Sequence, residues 1–491
     1  MDDSIYERIG VRSFINCCGT RTIHGGTLMW PGVKEAMMAA ADGFVNMDEL
    51  MEGVGRRLGE LTGAEWGMVA SGGAAALCHA TAACVAGADP EVMLRLPDTR
   101  GLKDRVVMLK GGRFTYDHAI RTVGVEIVEV GDEGELVRAL DERVVMVALL
   151  GTHDPEASVR LEAVVSHTGQ RGIPVLVDAA SEHLKRPNPY LSRGATMVSY
   201  SGGKYLRGPQ ASGLLLGEEK WVRMAWLNAA PHHAIGRAMK VGKEEVMGVL
   251  AAVEYWADGR DHAGERAQWR TDLQVISECV TALDGVETEI LEPADLENGV
   301  PKMEIRWGAY AGEISGLALR EQLLEGTPRI VLDDRWATDA SVLIAPFSLQ
   351  PGEAAIVGER IREALEQAPE RREKANESPV PVAGTWTVEI GFVMGTSTHQ
   401  VTLEQAGETL RGTHQTRFHS NPLIGCVRGD QVDFSSLHPY EGTHLAYRFV
   451  GCVDGDEMEG TVELGSEGQS APGPLNRREY GKGQWRAKRV G

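Results

Sequence analysis

Apolar and polar positions alternate differently in the two parts of the chain. Between about residues 60 and 217, short apolar runs alternate with amphipathic stretches such as Glu133–Glu142 and Leu161–Gln170. The apolar runs are Trp66–Ala70, Val106–Lys110, Val125–Val130, Val144–Leu150, Pro174–Asp178, Met197–Tyr200 and Ser212–Leu216. Apolar strands that alternate with helices indicate a mostly parallel sheet covered on both faces, so we expect an α/β fold here.

The residues that follow predict a smaller α/β domain. A helix is indicated at Lys243–Trp256, and residues from about 270 to 366 mix strand and helix patterns, ending in a helix at Glu353–Gln367. A charged, proline-bearing stretch without periodicity then runs from Pro369 to Pro381, as a solvated linker would. We expect an N-terminal segment (1–45) that joins the small domain, a large domain (46–245), the small domain (246–366) and a linker (367–382).

The remaining residues, 383–491, carry a third pattern. Short strands separated by glycine turns are predicted at Gly384–Ile390, His399–Gln405, Thr409–Phe418, Gln431–Leu437, Thr443–Val450, Glu457–Leu464 and Gly483–Lys488. Regular short strands of this kind favour a small antiparallel barrel or sandwich. The first and last runs look like the ends of a closed meander, so we expect a lipocalin-like β-barrel domain.

Composition narrows the class of protein. The 491 residues include 70 acidic and 50 basic side chains, a formal net charge of −20 that disfavours nucleic acid as a partner. The sequence has no apolar run of about 18 residues and no signal-peptide pattern at Met1, and its seven cysteines are scattered. We therefore expect a cytoplasmic protein with no membrane segment.

A lysine in a glycine turn is the strongest chemical signal. Ser201-Gly-Gly-Lys204 follows one predicted strand and precedes another. An amine on such a platform can form a Schiff base with an aldehyde and then move a proton at the neighbouring carbon. A solvated lysine in a surface turn is the alternative interpretation.

An aspartate at the end of a buried strand supports the first interpretation. Asp178 ends the run Pro174–Asp178, at the edge where open α/β sheets place ligands. A carboxylate there can keep a pyridine nitrogen protonated and make the ring an electron sink. The alternative is that Asp178 caps the next helix.

A third signal is an anion site. Ser71, Gly72, Gly73 and Ala74 follow a strand and open a helix of very small residues. Free N–H groups and the positive end of the helix dipole suit a phosphate. Ser201 is expected to add a hydroxyl to it. The alternative is a tightly packed core helix.

Taken in order, several segments resemble proteins related to bacterial selenocysteine synthase and D-glucosaminate-6-phosphate ammonia lyase. The resemblance covers roughly residues 5 to 366 and is carried by Tyr6–Thr20, Leu58–Ala64, Ser71–Ala83, Tyr116–Ile120, Val177–Ala180, Ser201–Gln210 and Ile235–Glu245. It implies a fold-type-I pyridoxal 5′-phosphate (PLP) enzyme, of the aspartate aminotransferase-like fold, with active sites shared across a homodimer or higher homo-oligomer.

The resemblance also implies residue roles. Lys204 is the Schiff-base lysine, Asp178 pairs with the pyridine nitrogen, and the phosphate is held around Gly72. The other expected cofactor contacts are Ser71, Gly73, Ala74, Ser181 and Ser201, with Tyr116 or His118 stacking on the ring or touching substrate and Arg237 or Lys243 reaching the phosphate from the neighbouring subunit. Substrate contacts are expected from Arg207, Arg329 and His232.

Some residues depart from the family pattern. Cys17-Cys18 and Met29-Trp30 stand near the expected substrate entrance, where small residues are usual, so the substrate is expected to differ from that of named relatives. The barrel lies outside the family pattern. Its five histidines (His399, His414, His419, His438, His444) have no recurring ligand spacing, so exposed strand residues are expected rather than a metal site.

The expected function is a lyase that acts at Cα and Cβ of a small amino acid. A lysine aldimine and a quinonoid carbanion would lead to β-elimination, with a keto acid and ammonia as products. Racemisation, epimerisation or transamination use the same carbanion, and the sequence does not separate them. A non-catalytic ligand-binding homologue is a further alternative, disfavoured because Lys204 and Asp178 are both present.

Overall fold

The computed structural model describes residues 5–293, 299–308, 314–368, 378–468 and 480–490. Two compact units divide the chain, one formed mainly by residues 1–368 and the other by residues 369–491. Within the described ranges, none of the helices has the length and apolar character needed to cross a membrane. The elements before the central sheet are β1 (Ile15–Asn16), α1 (Pro31–Ala41) and α2 (Met47–Thr62).

A seven-stranded sheet forms the centre of the first unit. Its elements, with the intervening helices, are β2 (Trp66–Ala70), α3 (Gly73–Ala86), α4 (Pro90–Arg95), β3 (Arg105–Leu109), α5 (His118–Arg121), β4 (Glu126–Val130), α6 (Glu133–Ala139), β5 (Val144–Leu150), α7 (Leu161–Gly169), β6 (Val175–Asp178), β7 (Met197–Ser201), β8 (Gly213–Gly217) and α8 (Glu219–Leu227). Each of the seven apolar runs predicted from the sequence is a strand of this sheet.

Strand order explains where a ligand can bind. The order is β2-β8-β7-β6-β5-β3-β4, in which β7, β6, β5, β3 and β4 are parallel and β8 is antiparallel to both β7 and β2. The strand β2 therefore runs in the same direction as β7, and their carboxyl ends meet at one edge. Strands β5 to β8 are almost wholly buried, which confirms the predicted mostly parallel sheet with both faces covered.

Close packing of α3 on this sheet depends on small side chains. The helix is mostly alanine and is buried on nearly all sides. A β-carbon on Gly213 would lie 2.4 Å from the carbonyl carbon of Gly72 and 2.6 Å from the nitrogen of Gly73. Only glycine at position 213 lets the start of α3 approach strand β8 this closely.

The rest of the first unit is a smaller α/β arrangement. It contains α9 (Lys243–Asp258), α10 (His262–Val280), β9 (Val286–Leu291), β10 (Lys302–Trp307), α11 (Gly316–Glu325), β11 (Ile330–Val331), β12 (Ser341–Ile344) and α12 (Glu353–Glu366). An antiparallel sheet has the order β12-β10-β9, and β1 from the N-terminal segment pairs in parallel with β11.

A closed barrel of eight antiparallel strands forms the second unit, which confirms the predicted barrel. Its strands are β13 (Gly384–Gly391), β14 (Thr396–Ala406), β15 (Thr409–Gln415), β16 (Ser420–Arg428), β17 (Gln431–Tyr440), β18 (Thr443–Asp454), β19 (Glu457–Gly468) and β20 (Lys482–Arg489). The strand β20 pairs with β13 and closes the barrel.

The sequence patterns had missed one barrel strand, β16. Pro422 and Gly425 interrupt its pattern, and a proline usually argues against a strand interior. In the structure Pro422 pairs with Thr413 of β15, whereas the ladder between β16 and β17 starts only at Leu423. The proline thus occupies a position where the strand is paired on one side.

Candidate active site

Asp178 and Lys204 lie at the same edge of the central sheet. Asp178 ends β6, is only 5% exposed, and stands between Leu150 of β5 and Ser199 of β7 in the strand register. Lys204 lies in the turn that follows β7. Burial raises the pKa of Asp178, while the amide of Ala180, 2.9 Å from Oδ1, and the charge of Lys204 oppose part of the rise. The acid and the amine therefore act on each other electrostatically at this edge.

The turn that carries Lys204 is tightly built. A β-carbon on Gly202 would lie 2.1 Å from Oγ of Ser212, and one on Gly203 would lie 2.7 Å from the Cα of Gln210. The hydroxyl of Thr27 donates to the carbonyl of Gly203 at 3.2 Å. The two glycines are thus required by packing, and the turn gives Lys204 a rigid base.

The start of α3 faces the same edge. Ser199 Oγ donates to the carbonyl of Gly73 at 3.4 Å, and a β-carbon on Gly73 would meet that of Ala180 at 3.3 Å. Gly72 has a φ of +156°, which L side chains rarely adopt, and open space where its β-carbon would stand. The first N–H groups of α3 thus lie beside the loop that follows Asp178.

The donor set fits PLP. A buried carboxylate for a ring nitrogen, an amine for an aldehyde and a helix N-terminus for a phosphate all come from the carboxyl ends of β6, β7 and β2. The partly buried hydroxyls of Ser71 and Ser201 lie at the ends of β2 and β7. These groups match the three polar parts of the cofactor.

Other expected cofactor contacts lie at the surface of this chain. Tyr116, His118, Ser181 and Arg237 are exposed, and so is Ala74 in the first turn of α3. The half-buried Lys243 interacts with the carbonyl of Ala40 and with the carboxylate of Glu244. The single chain therefore gathers Lys204, Asp178 and the start of α3, but does not bury these outer residues.

The three expected substrate contacts have structural partners. Arg207 Nε donates to the carbonyl of Leu28 at 2.8 Å, and its guanidinium lies 3.9 Å from the centroid of the Trp30 ring. Arg329 Nε donates to the carbonyl of Leu324 at 2.8 Å.

His232 is held at both ring nitrogens. Its Nε2 lies 3.1 Å from Oδ1 of Asp48, and its Nδ1 lies 3.0 Å from the carbonyl oxygen of Trp226. These contacts fix the loop that contains the cis Ala230–Pro231 bond.

Sequence reasoning had missed a second buried acid next to Asp178. Glu182 is 5% exposed, and the Tyr190 hydroxyl lies 2.8 and 2.7 Å from its two carboxyl oxygens. Burial, assisted by the charge of Asp178, raises the pKa of Glu182 to about 8 despite the Tyr190 hydrogen bond. Its position four residues after Asp178, on the loop at the carboxyl end of β6, was the available signal.

A histidine at the same edge was also missed. His153 follows β5, whose last residue Leu150 pairs with Asp178. Its ring lies over the turn after β3, where a β-carbon on Gly111 or Gly112 would come within 3.4 Å of it. The strand pattern shows that His153 follows a strand end. It does not show that this strand, β5, pairs with the strand that carries Asp178.

Known proteins with similar sequences cover most of the chain. A D-glucosaminate-6-phosphate ammonia lyase from Salmonella typhimurium (strain 14028s / SGSC 2262) is 30% identical over 379 residues, which cover 75% of this chain and 100% of that protein. A 5′-C-glycyluridine monooxygenase-decarboxylase from a Streptomyces species is 32% identical over 378 residues, which cover 73% of this chain and 92% of that protein.

The fold is similar to that of a solved structure. The structure of a D-glucosaminate-6-phosphate ammonia-lyase superposes with a TM-score of 0.66 and 30% sequence identity, covering 75% of this chain and 100% of that chain. No family model matches the sequence. A quarter of the chain lies outside the match to the ammonia lyase, although that protein is matched over its whole length.

Proposed function

Because the chain belongs to the fold-type-I, PLP-dependent enzyme family of selenocysteine synthase and D-glucosaminate-6-phosphate ammonia lyase, we propose that it is a lyase acting on a small amino acid. The reaction would remove a β-substituent and release a keto acid and ammonia. The observation that carries this proposal is that the buried Asp178 ends β6 and Lys204 follows the adjacent strand β7, both at the carboxyl edge of the sheet.

PLP, when bound, supplies an electron sink for the electrons released at the substrate Cα. We assign Asp178 to hold a proton at the ring nitrogen, since a buried carboxylate would favour a cationic partner. The Lys204 amine would take the proton from Cα and return one to the product. Gly72, Gly73 and Ser201 would hold the phosphate with N–H and hydroxyl groups.

The outer residues are assigned to the same site. Ser71, Ala74 and Ser181 would add to the phosphate and ring contacts, and Tyr116 or His118 would stack on the ring. Substrate contacts from Arg207, Arg329 or His232 require each side chain to leave the protein partner that it now has. Elimination needs the β-substituent to be held during proton removal, so one of these side chains is expected to bind an anionic or hydroxylated substrate.

A second copy of the chain would complete the site. We propose that Arg237 and Lys243 reach the phosphate of the neighbouring subunit in a homodimer or larger homo-oligomer. The exposure of Tyr116, His118 and Arg237 supports this, because a ring-stacking or phosphate contact needs to be shielded from water. Light scattering coupled to size exclusion should give at least a dimer, and a monomer with full activity would contradict the shared site.

Lys204→Ala tests the assignment of the amine. We expect the variant to lose the visible absorbance of the bound cofactor and all turnover while its circular dichroism spectrum is retained. Lys185→Ala is the matched control, because Lys185 also lies beyond the carboxyl end of β6 and is half-buried. Turnover by the Lys204 variant would overturn the assignment.

The reaction type needs a separate experiment. The purified enzyme would be mixed with D- and L-forms of β-hydroxy amino acids, and keto acid and ammonia would be measured together. Equal amounts of both products support the lyase. Deuterium incorporation at Cα without net loss would indicate racemisation, a pyridoxamine spectrum would indicate transamination, and oxygen-dependent release of carbon dioxide would indicate the chemistry named for the Streptomyces relative.

A further inference from the structure

The inside of the C-terminal barrel is divided into two ends of different chemistry. At the end where the chain enters, large apolar side chains fill the interior, among them Trp386, Phe434, Phe449 and Trp485. The buried Val382 closes this end, and its carbonyl accepts a hydrogen bond of 2.9 Å from Nε1 of Trp386. An eight-stranded barrel is just wide enough to be filled by side chains or to hold one small ligand. This end is of the filled kind.

The opposite end contains a chain of buried imidazoles. His399 (7% exposed), His414 and His438 (both 0%) point inwards from β14, β15 and β17. Nδ1 of His399 lies 2.8 Å from Nε2 of His414, whose Nδ1 lies 3.0 Å from Nε2 of His438. Three of the five barrel histidines are thus buried, so the expectation of exposed strand residues was wrong for them. It failed because their inward register depends on the closure of the barrel.

These imidazoles are arranged as a line rather than around one point. The central His414 uses its two nitrogens for two different neighbours, and Ser436 Oγ lies 2.6 Å from its Nδ1. Among the residues that the structure describes, no group of three or more metal-ligating side chains is placed to hold a metal ion. The three imidazoles can instead form a continuous chain of hydrogen bonds.

One imidazole nitrogen of this line is unsatisfied within the described part of the barrel. Nδ1 of His438 is buried and has no hydrogen-bond partner among the described residues. A buried polar atom left in this way costs about 1–3 kcal/mol. The Tyr447 ring packs edge-on against His399, His414 and His438 with centroid distances of 5.0 to 5.5 Å. The wall around the unused nitrogen is therefore both polar and aromatic.

The rim at this end carries exposed apolar side chains. Phe392, Val393 and Met394 occupy the turn between β13 and β14, Phe418 occupies the turn between β15 and β16, and Tyr480 precedes β20. Val393 and Met394 are 96% and 91% exposed. Exposed apolar residues on the turns at the rim of a polar interior suit a ligand with a polar and an apolar part.

We propose that the histidine end of the barrel binds a small carboxylate with an apolar, aromatic body. The carboxylate would accept a hydrogen bond from Nδ1 of His438, and the body would contact Tyr447 and the apolar rim. Binding would draw one proton from solvent onto the imidazole line, so that the buried anion is matched by an imidazolium. The only bond formed is the second N–H of one imidazole, and the buffer supplies its proton. This site is independent of the lyase assignment.

Burial keeps the imidazoles neutral in the free protein, so proton uptake has to be driven by the bound anion. Burial, with the neighbouring imidazoles, lowers the pKa of His414 to about 2 and that of His438 to about 4, so both are neutral at pH 7 without an anion. A buried carboxylate raises the pKa of an adjacent imidazole. Within the described part of the barrel, the titratable side chains in ring contact with the line are Tyr447 and His419, which faces His438, and Tyr440 in turn contacts His419.

Calorimetry of the full-length holoenzyme with benzoate tests the proposal. Titrations at pH 7 in two buffers of different ionisation enthalpy would give the affinity and the number of protons taken up. We expect benzoate to bind with uptake approaching one proton, and benzamide, its neutral isostere, to bind at least about tenfold more weakly. An absence of benzoate binding, or binding without proton uptake, would overturn the proposal.

Substitutions locate the binding. His438→Gln should weaken benzoate at least about tenfold and remove the proton uptake, because the amide donates but does not take up the proton. His167→Gln, on a surface helix of the first unit, is the matched control and should change neither quantity. Phe418→Ser, at a 70% exposed rim position, tests the site without touching the interior. Unchanged benzoate affinity in both His438→Gln and Phe418→Ser would place the binding elsewhere and refute the proposal.

Discussion

Replacing Glu182 by glutamine should make the protein more stable at neutral pH. The carboxyl group is buried beside Asp178, and its pKa is raised to about 8. In the folded protein it therefore keeps its proton over a range in which an unfolded chain has already released it. Glutamine has the shape of the protonated acid, and its oxygen still accepts from the Tyr190 hydroxyl.

The sign and size of the effect follow from the two pKa values. An unfolded glutamate ionises near the ordinary value of 4.5 and the folded one near 8, so the folding stability falls as the pH rises through this window. Keeping Glu182 protonated costs about 3 kcal/mol at pH 7 and about 1 kcal/mol at pH 5. The gain from Glu182→Gln should therefore grow by roughly 2 kcal/mol between these two pH values and level off above pH 8.

Urea unfolding at pH 5, 7 and 8.5, followed by tryptophan fluorescence and circular dichroism, measures this difference. Only the change in stability between variant and parent at each pH is needed, so other titrating groups cancel. Glu35→Gln, at an exposed position of α1, controls for the loss of one formal charge. A stability difference that stays the same from pH 5 to 8.5 would show that Glu182 is already ionised in the folded protein and would refute the reasoning.

Three further outcomes are expected at the sheet. Gly213→Ala should force the start of α3 away from β8, because its β-carbon would lie 2.4 Å from the carbonyl carbon of Gly72. We expect the free energy of unfolding in urea to fall by about 1–3 kcal/mol and PLP to bind more weakly. Unchanged PLP affinity would contradict this. Asp117→Asn should cost about 1–3 kcal/mol, because it removes the buried carboxylate that pairs with Arg113 and Arg121, while Glu129 still pairs with Arg113; thermal unfolding measures it, and an unchanged unfolding temperature would argue against the contribution of the pair. Asp178→Asn should still bind PLP but lower kcat roughly a hundredfold or more, measured by steady-state kinetics; unchanged turnover would remove Asp178 from the mechanism.

Much of the fold could be predicted because its signals are local. The run Val144–Leu150 was predicted with its observed bounds, since a strand buried on both faces is apolar throughout. The helix predicted at Lys243–Trp256 is observed at Lys243–Asp258, two residues longer. What could not be predicted depends on pairing between distant strands. The strand β16 was missed for another reason: Pro422 and Gly425 interrupt its pattern, and the sequence does not show that its ladder to β17 begins only after the proline.

The same distinction holds for the candidate site. Lys204 and Asp178 each carry a local signal, a glycine turn and a strand end, and the structure brings them to one edge. Glu182 and His153 carry weaker signals, since each only follows a strand end by a few residues. The environment of Glu182 is set by the Tyr190 hydroxyl. That of His153 is set by the turn after β3, which the strand order places next to β5.

The buried polar groups of the two units differ in the charge of the ligand that would stabilise them. At the sheet edge, burial disfavours the charged form of Asp178, and the Ala180 amide and Lys204 offset this only in part. A cationic ring nitrogen would stabilise the carboxylate further. In the barrel, Nδ1 of His438 has no hydrogen-bond partner among the described residues, and a bound carboxylate would accept its hydrogen bond. The ammonia lyase that matches three quarters of this chain is matched over its whole length, so the catalytic fold of the family is complete within that part. If both proposals hold, the two units bind ligands of opposite charge at their buried groups, and the barrel has a ligand of its own.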